Sequence, residues 1–342
     1  MKRKNNLFLE NLDNVKRIDY KKKMKRIERI IIGIIAITAL VFLVIAGLAI
    51  INEGLSRFIM TISSINLYYY ALALIVVFCG YALRYPKWSM YIKMLGIKLR
   101  ATTNFLIYLS MYSMEITPGR WGRAVVSYSI NRLTGAKFGR TFPAVVADIF
   151  TDFLGFIILA IFFAFFLHKY MIISLVISAI LLLPFVFLYH RKPFMMLKAK
   201  LSRFSSLKSF FAVGDLYFKS NNMLEKKAYG YSLLFTVPAM FLNGFALYIV
   251  ILAFGVQLGL GALPAVIFIF STSLLFGMIT GLPGNVGVTD AAMLGGLVFF
   301  FGSSGVSFGL ASAITIFYRI ATVWFVEGFG FVALAKTFSY WR

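Results

Sequence analysis

Asp148 and Asp152 stand four residues apart inside an apolar stretch that runs from Phe142 to Leu167. On a helix that spacing puts both carboxylates on one side. Two carboxylates so placed in apolar surroundings repel, so either a proton is shared or a cation sits between them. Arg120, Arg123 and Arg319 are the side-chain cations available, with a bound ion as the alternative. Arg319 lies deep in the apolar run Ser307–Ala335, where the distance to either end disfavours snorkelling. Asp290 and Glu327 occupy similar settings, and Glu115 lies close by. Ionisable groups at membrane depth are costly and read as functional by default.

Two Pro-Gly breaks accompany these charges: Thr117-Pro118-Gly119-Arg120 and Leu282-Pro283-Gly284-Asn285. Broken backbone is tolerated at membrane depth only where it is buried in protein or lines a wet cavity. The segment Gly281–Gly287 is expected to offer backbone N–H groups ahead of a helix N-terminus, a place that can hold an anion. Asp290 competes for that place by capping the helix. Gly295-Gly296 reads as a point of close helix packing. The expected substrate-binding residues are Arg120, Arg123, Asp148, Asp152, Pro283, Gly284, Asn285, Asp290, Arg319 and Glu327.

The composition defines the setting. The chain of 342 residues is 61% hydrophobic with mean hydropathy +0.86, which excludes an ordinary soluble domain. Lys and Arg number 35 against 12 Asp and Glu, a formal charge of +23. Such a balance suggests nucleic acid, but the positives cluster in short segments between apolar runs, as the positive-inside rule describes. Anionic lipid is the expected partner and nucleic acid is not; a homo-oligomer is allowed. One cysteine, Cys79, excludes an internal disulfide and a Cys-based metal cage, and His168 and His190 flank opposite ends of one segment. No metal and no cofactor is expected. No P-loop, nucleophile elbow or zinc motif is present.

The hydropathy pattern predicts an all-α, polytopic integral membrane protein. The apolar runs are Ile30–Ile51, Leu67–Leu83, Phe142–Leu167, Met171–Tyr189, Tyr231–Phe254, Leu263–Thr280, Val286–Phe301 and Ser307–Ala335. Lysines among apolar residues between Trp88 and Leu99 suit a helix lying at the interface. Ala101–Ile116 and Trp121–Leu133 read as two half-helices meeting at the first break, with two stacked interfacial helices as the alternative. Counting the broken segments as spanning gives eight passes; counting them as re-entrant gives six. Both place the termini in the cytoplasm. The six-pass version gives two halves of inverted order, a pattern of transporters. Residues 1–29 form a basic segment, and the run after it, Ile30–Ile51, is longer than the hydrophobic region of a cleavable signal, about 7–15 residues. Residues 30–335 make one membrane domain, with a cytoplasmic loop at about 191–228 and a basic tail at 336–342.

Four blocks resemble the transmembrane region of lysylphosphatidylglycerol synthases and the wider flippase-like family around it. Pro118-Gly119-Arg120-Trp121-Gly122 resembles a Pro-x-Arg-x-Gly block, and Asp148-Ile149-Phe150-Thr151-Asp152 an acid-Arg-x-x-Asp block. Pro283 to Asp290 resembles Pro-Gly-Gly-x-Gly-x-x-Glu, and Arg319 to Trp324 an Arg-plus-aromatic block. Departures are Arg123 where the family has Glu, Ile149 where it has Arg, and Asp in place of Glu at 148 and 290. The aminoacyl-transferase domain of full-length synthases has no counterpart here. The resemblance therefore implies the lipid-translocating half rather than lipid synthesis. The expected function is binding of a membrane lipid or lipid-linked substrate and its movement between leaflets of the cell membrane. Arg120 and Arg319 would meet a phosphate; Asp148, Asp152 and Asp290 would meet a cationic headgroup or relay protons. The alternative is an intramembrane enzyme, or its accessory subunit, acting on lipid-linked or polyprenyl-linked substrates.

Overall fold

The fold is seen in a computed structural model that describes residues 36, 39–189, 191–201, 211, 215 and 226–339. The basic segment 1–29, most of the expected loop at 191–228 and residues 340–342 of the tail lie outside the described residues. The chain divides into two units, Met1–Leu43 and Val44–Arg342, and the buried charges described below all belong to the second.

The described residues form helices and no strand. Helix α1, Ala39–Glu53, meets α2, Leu55–Ser63, at 117° across Gly54, whose φ of 85° suits glycine. Asn66 starts α3, Leu67–Leu83, by accepting the N–H groups of Tyr68 and Tyr69 at 3.0 and 3.4 Å. Arg84 keeps a helical conformation, so α4, Tyr85–Met94, extends α3 into one stretch of 28 residues.

The first broken segment follows. It consists of α5, Ala101–Ser110, tight turns at Met111–Met114 and Pro118–Ala124, and α6, Val125–Thr134. Each of its helices has ten residues, about 15 Å or half the bilayer core. Neither crosses a membrane alone, and the length fits a re-entrant hairpin. Next come α7, Phe138–Ala164; α8, Met171–Tyr189; α9, Arg191–Leu201; and α10, Lys226–Ala253. The second broken segment pairs α11, Leu263–Thr280, with α12, Val288–Phe301, across a turn at Pro283–Asn285. Helix α13, Phe308–Arg319, runs through a π-helical turn, Ile320–Trp324, into α14, Phe325–Ser339.

Among the described residues, six helical stretches are long and apolar enough to cross a bilayer, and the bent α1–α2 pair allows a seventh. The second broken segment contributes two of the six, so it differs from the half-length first one. The chain is thus a multi-pass, all-helical membrane protein.

Helix α7 is central. Within its apolar window 72% of the residues are buried inside the protein, against 28% for Leu67–Met94. It packs on α8, α10 and α11, while α3 packs along α10 and α14 packs on α5. Close approach is built in with glycine. A Cβ on Gly330 of α14 would stand 2.8 Å from the Tyr112 carbonyl carbon, and one on Gly296 of α12 would stand 3.0 Å from Ile269. The packing expected of Gly295-Gly296 therefore rests on Gly296, since Gly295 faces open space.

The interfacial helix expected between Trp88 and Leu99 is instead the end of the α3–α4 stretch, which stops at Met94; its lysines are exposed as expected, but Lys87 just before it is not. Lys87, Trp88, Tyr91 and Ile92 are buried, and only the outer positions such as Lys93 and Lys98 are exposed. The reason lies in what Lys87 meets.

Candidate functional site

Asp148, Thr151 and Asp152 are fully buried on one side of α7. The cation between the two carboxylates is Lys87, which reaches in from α4. Its Nζ stands 2.7 Å from Asp152 Oδ1 and 3.0 Å from Asp148 Oδ1, and donates to Thr151 Oγ1 at 3.1 Å. Arg123 closes the other side. Its Nη1 donates to Asp148 Oδ2 at 2.6 Å and Asp152 Oδ2 at 3.1 Å. Its Nε and Nη2 grip Glu115 in a two-point pair at 2.6 and 2.8 Å, the geometry that favours Arg over Lys.

Arg84 and Arg120 complete the cluster. Arg84 donates to Asp152 Oδ2 at 3.3 Å, and Arg120 stands 3.0 Å from Glu115 and 3.5 Å from Asp152. Four cations therefore face three carboxylates, leaving one formal positive charge. Aromatic rings wrap it. The Arg84 guanidinium lies 4.2 Å from the Tyr81 ring centroid and Arg123 5.2 Å from that of Tyr112. Tyr108 donates to the Tyr81 carbonyl at 2.6 Å and shares a hydrogen bond with Tyr112 at 2.8 Å, fixing α5 and its turn against α3.

A second cluster forms at the other break. Arg319 donates from Nη2 to the Gly284 carbonyl at 2.7 Å. Its Nε stands 2.9 Å from Asp290 Oδ1, off the line of a good hydrogen bond, so that contact is chiefly one of charge. Asp290 Oδ2 accepts the Gly287 N–H at 2.7 Å and so caps α12. This corrects the expectation of an open anion cradle at Gly281–Gly287. The N–H groups of Gly281, Asn285, Val286 and Gly287 are engaged by the carbonyls of Met278, Leu282 and Pro283 and by Asp290. The turn instead presents a carbonyl oxygen to Arg319. Arg319 is also the last residue before the π-helical turn, a distortion often found at functional sites.

The two clusters meet. The turn Pro118–Ala124 packs on the turn Pro283–Asn285, and a Cβ on Gly284 would stand 2.8 Å from Ile116. Each turn holds a non-glycine residue in the left-handed region, Arg120 at φ 60° and Asn285 at φ 56°. For Arg120 in particular that is strain of the kind concentrated at functional sites. Between the breaks lies a cavity of about 40 Å³, lined by Arg84, Glu115, Arg120, Asn243, Asn285 and Arg319 among others. It holds two or three water molecules by volume, at roughly 10–15 Å³ each. Asn243 on α10 lines this cavity, and its side-chain oxygen is buried without a hydrogen-bond partner. Glu327 on α14 accepts the Ile116 N–H at 3.0 Å, next to the first break.

The structure thus assembles Arg120, Arg123, Asp148 and Asp152 into one cluster, and Gly284, Asp290 and Arg319 into another. Asn285 joins them on the cavity wall, Pro283 opens the second turn, and Glu327 clips the first. Arg319 pairs with Asp290 rather than with the aspartates of α7. Four contributors fall outside the expected substrate-binding set, among them Glu115, noted in the sequence only as an acid near a span. Arg84 and Lys87 read as loop charges of the positive-inside kind, and Asn243 carries no signal in an apolar helix. For Lys87 a clue exists: Trp88, Tyr91 and Ile92 continue the apolar face of a helix around it.

A multi-pass helical fold with broken segments meeting at a buried, charge-lined cavity defines an integral membrane protein with a polar cluster in its interior. Residues 30–330 match the family described as the lysylphosphatidylglycerol synthase TM region, and the chain belongs to that family. A curated relative, the UPF0104 membrane protein of Methanothermobacter thermautotrophicus, is 24% identical over 299 residues, covering 78% of this chain and 84% of the relative.

Proposed function

We propose that this protein binds the headgroup of an anionic or modified phospholipid, or of a lipid-linked substrate, and carries it between leaflets. The observation that carries the reading is the cavity between the two breaks, where Arg84, Arg120 and Arg319 converge and the first cluster keeps one uncompensated positive charge. A phosphate is the anion that guanidinium groups recognise best. At about 40 Å³ the cavity is too small for a headgroup, so this is a closed form. Opening it means parting the turn Pro118–Ala124 from Pro283–Asn285, which breaks few covalent constraints because each turn already interrupts its helix. Discontinuous helices meeting at a central site are the usual machinery of alternating access.

In this reading the buried acids are the scaffold that holds the guanidinium groups in place rather than a cationic-headgroup site. The protein sits in the cell membrane with both termini in the cytoplasm, an orientation supported by the Lys and Arg excess beside the apolar runs. The test is reconstitution into proteoliposomes with a fluorescent tracer phosphatidylglycerol in the inner and outer leaflets. The expected result is faster exchange of the anionic tracer than in empty vesicles, with a smaller effect on a phosphatidylcholine tracer. Equal exchange in protein-containing and empty vesicles for every headgroup tried would count against it.

A further inference from the structure

Four of the five buried carboxylates have a cation at hand. Glu115, Asp148, Asp152 and Asp290 each lie within 2.6–3.0 Å of a Lys or Arg nitrogen. Glu327 is the exception. It is 4% exposed, and among the described residues no Lys or Arg nitrogen stands within 4 Å of its carboxylate. Its one hydrogen bond is the Ile116 N–H. The charged groups that face it are Glu115, from the first broken segment, and Arg319 on α13. Glu115 is a like charge, and Arg319 is already committed to Asp290 and Gly284.

The charges of the site can be counted. Arg84, Lys87, Arg120, Arg123 and Arg319 face five carboxylates. The region is neutral when Glu327 is ionised and carries one positive charge when Glu327 is protonated. A monoanionic phosphodiester entering the first state would leave a net negative charge buried at membrane depth, which is costly. Entering the second, it leaves none. Each of the other four carboxylates has a Lys or Arg nitrogen within 3.0 Å, so the acid left without a compensating cation, and open to a proton instead, is Glu327.

We infer that Glu327 is a proton-binding residue of the transport site, taking up one proton as an anionic headgroup binds and releasing it as the headgroup leaves. The inference rests on the lipid-anion reading above. The step is a simple protonation, carboxylate plus a proton from water giving the carboxyl. It also has a mechanical consequence. The ionised carboxylate accepts the Ile116 N–H strongly and the carboxyl does so more weakly, so proton uptake loosens the clip on the first broken segment as the anion arrives.

The test uses the full chain in neutral detergent, titrated with dihexanoyl phosphatidylglycerol in an isothermal calorimeter. Repeating the titration in buffers of different ionisation enthalpy counts the protons taken up with the lipid. In alkaline buffer, where Glu327 is ionised before lipid is added, the wild type is expected to take up about one proton per lipid bound, with affinity falling by up to about tenfold per pH unit as the medium becomes more alkaline. Glu327→Gln, which imitates the protonated state at the same size, is expected to bind without proton uptake and with an affinity that does not follow pH. Lipid binding by the wild type with no proton uptake overturns the inference, as does unchanged uptake in Glu327→Gln. No binding by either protein overturns the anion-binding reading itself, and this inference with it.

Discussion

Lys87 Nζ stands 2.7 Å from Asp152 Oδ1, both side chains fully buried, although 65 residues separate them in the chain. This pair ties α4 to α7 and makes Lys87 part of the interior rather than of a cytoplasmic loop. Without Lys87 both aspartates keep Arg123, so the cost is that of the lost charged hydrogen bonds, about 1.5–3 kcal/mol. Lys87→Met is therefore expected to lower the melting temperature in detergent markedly. Lys93→Met, an exposed position two turns along the same helix, is expected to change stability by only about 0.5 kcal/mol or less. Equal effects of the two changes would return Lys87 to the role of a surface charge.

Gly330 sets the distance between α14 and the turn at Met111–Met114. Gly330→Ala places its methyl group 2.8 Å from the Tyr112 carbonyl carbon, against backbone that has little room to retreat. The expected cost is about 1–3 kcal/mol, the usual range for overpacking. Gly295→Ala, on an open face of α12, is the control and is expected to be neutral or slightly stabilising. Thermal unfolding of the two purified variants checks both.

Topology gives a third prediction. Lys137, just before α7, and Ser304, just before α13, are both exposed. With both termini in the cytoplasm, they fall on opposite sides of the membrane. In a Cys79→Ser background, Lys137→Cys is expected to react with an impermeant maleimide only from the cytoplasmic face, and Ser304→Cys only from outside. Labelling of both from one face would contradict the proposed orientation.

Much of this architecture was readable from the chain because hydrophobic length and charge clustering are local properties. The spans and the two Pro-Gly breaks came from apolar runs and helix-breaking residues. Asp148 and Asp152 came from their spacing on a helix, and the need for a cation between them followed from repulsion. Of the two cations that bridge them, Arg123 is among the arginines named as available, but Lys87 is not. Lys87 and Arg84 sit 61 to 68 residues from their partners, and a basic cluster after an apolar run has the same local appearance whether it enters water or a buried acid pair. The segment Gly281–Gly287 failed for a related reason. Its free N–H groups were inferred from composition, whereas they close on nearby carbonyls and on Asp290. The π-helical turn after Arg319 depends on register against neighbouring helices, and no residue in Ile320–Trp324 announces it.

The central claim is that the cavity between the breaks handles the lipid, and Arg319 is its most sensitive point. Arg319 holds the Gly284 carbonyl at 2.7 Å and faces Asp290, so Arg319→Ala removes both a cavity-wall cation and the tie across the second break. The decisive measurement is the rate of tracer phosphatidylglycerol exchange in proteoliposomes made with wild type, Arg319→Ala and Asp152→Asn, each first shown by its melting curve to be folded. The account predicts that both folded variants lose at least about tenfold in rate, equivalent to about 1.4 kcal/mol in the barrier. Wild-type rates in both variants would contradict it.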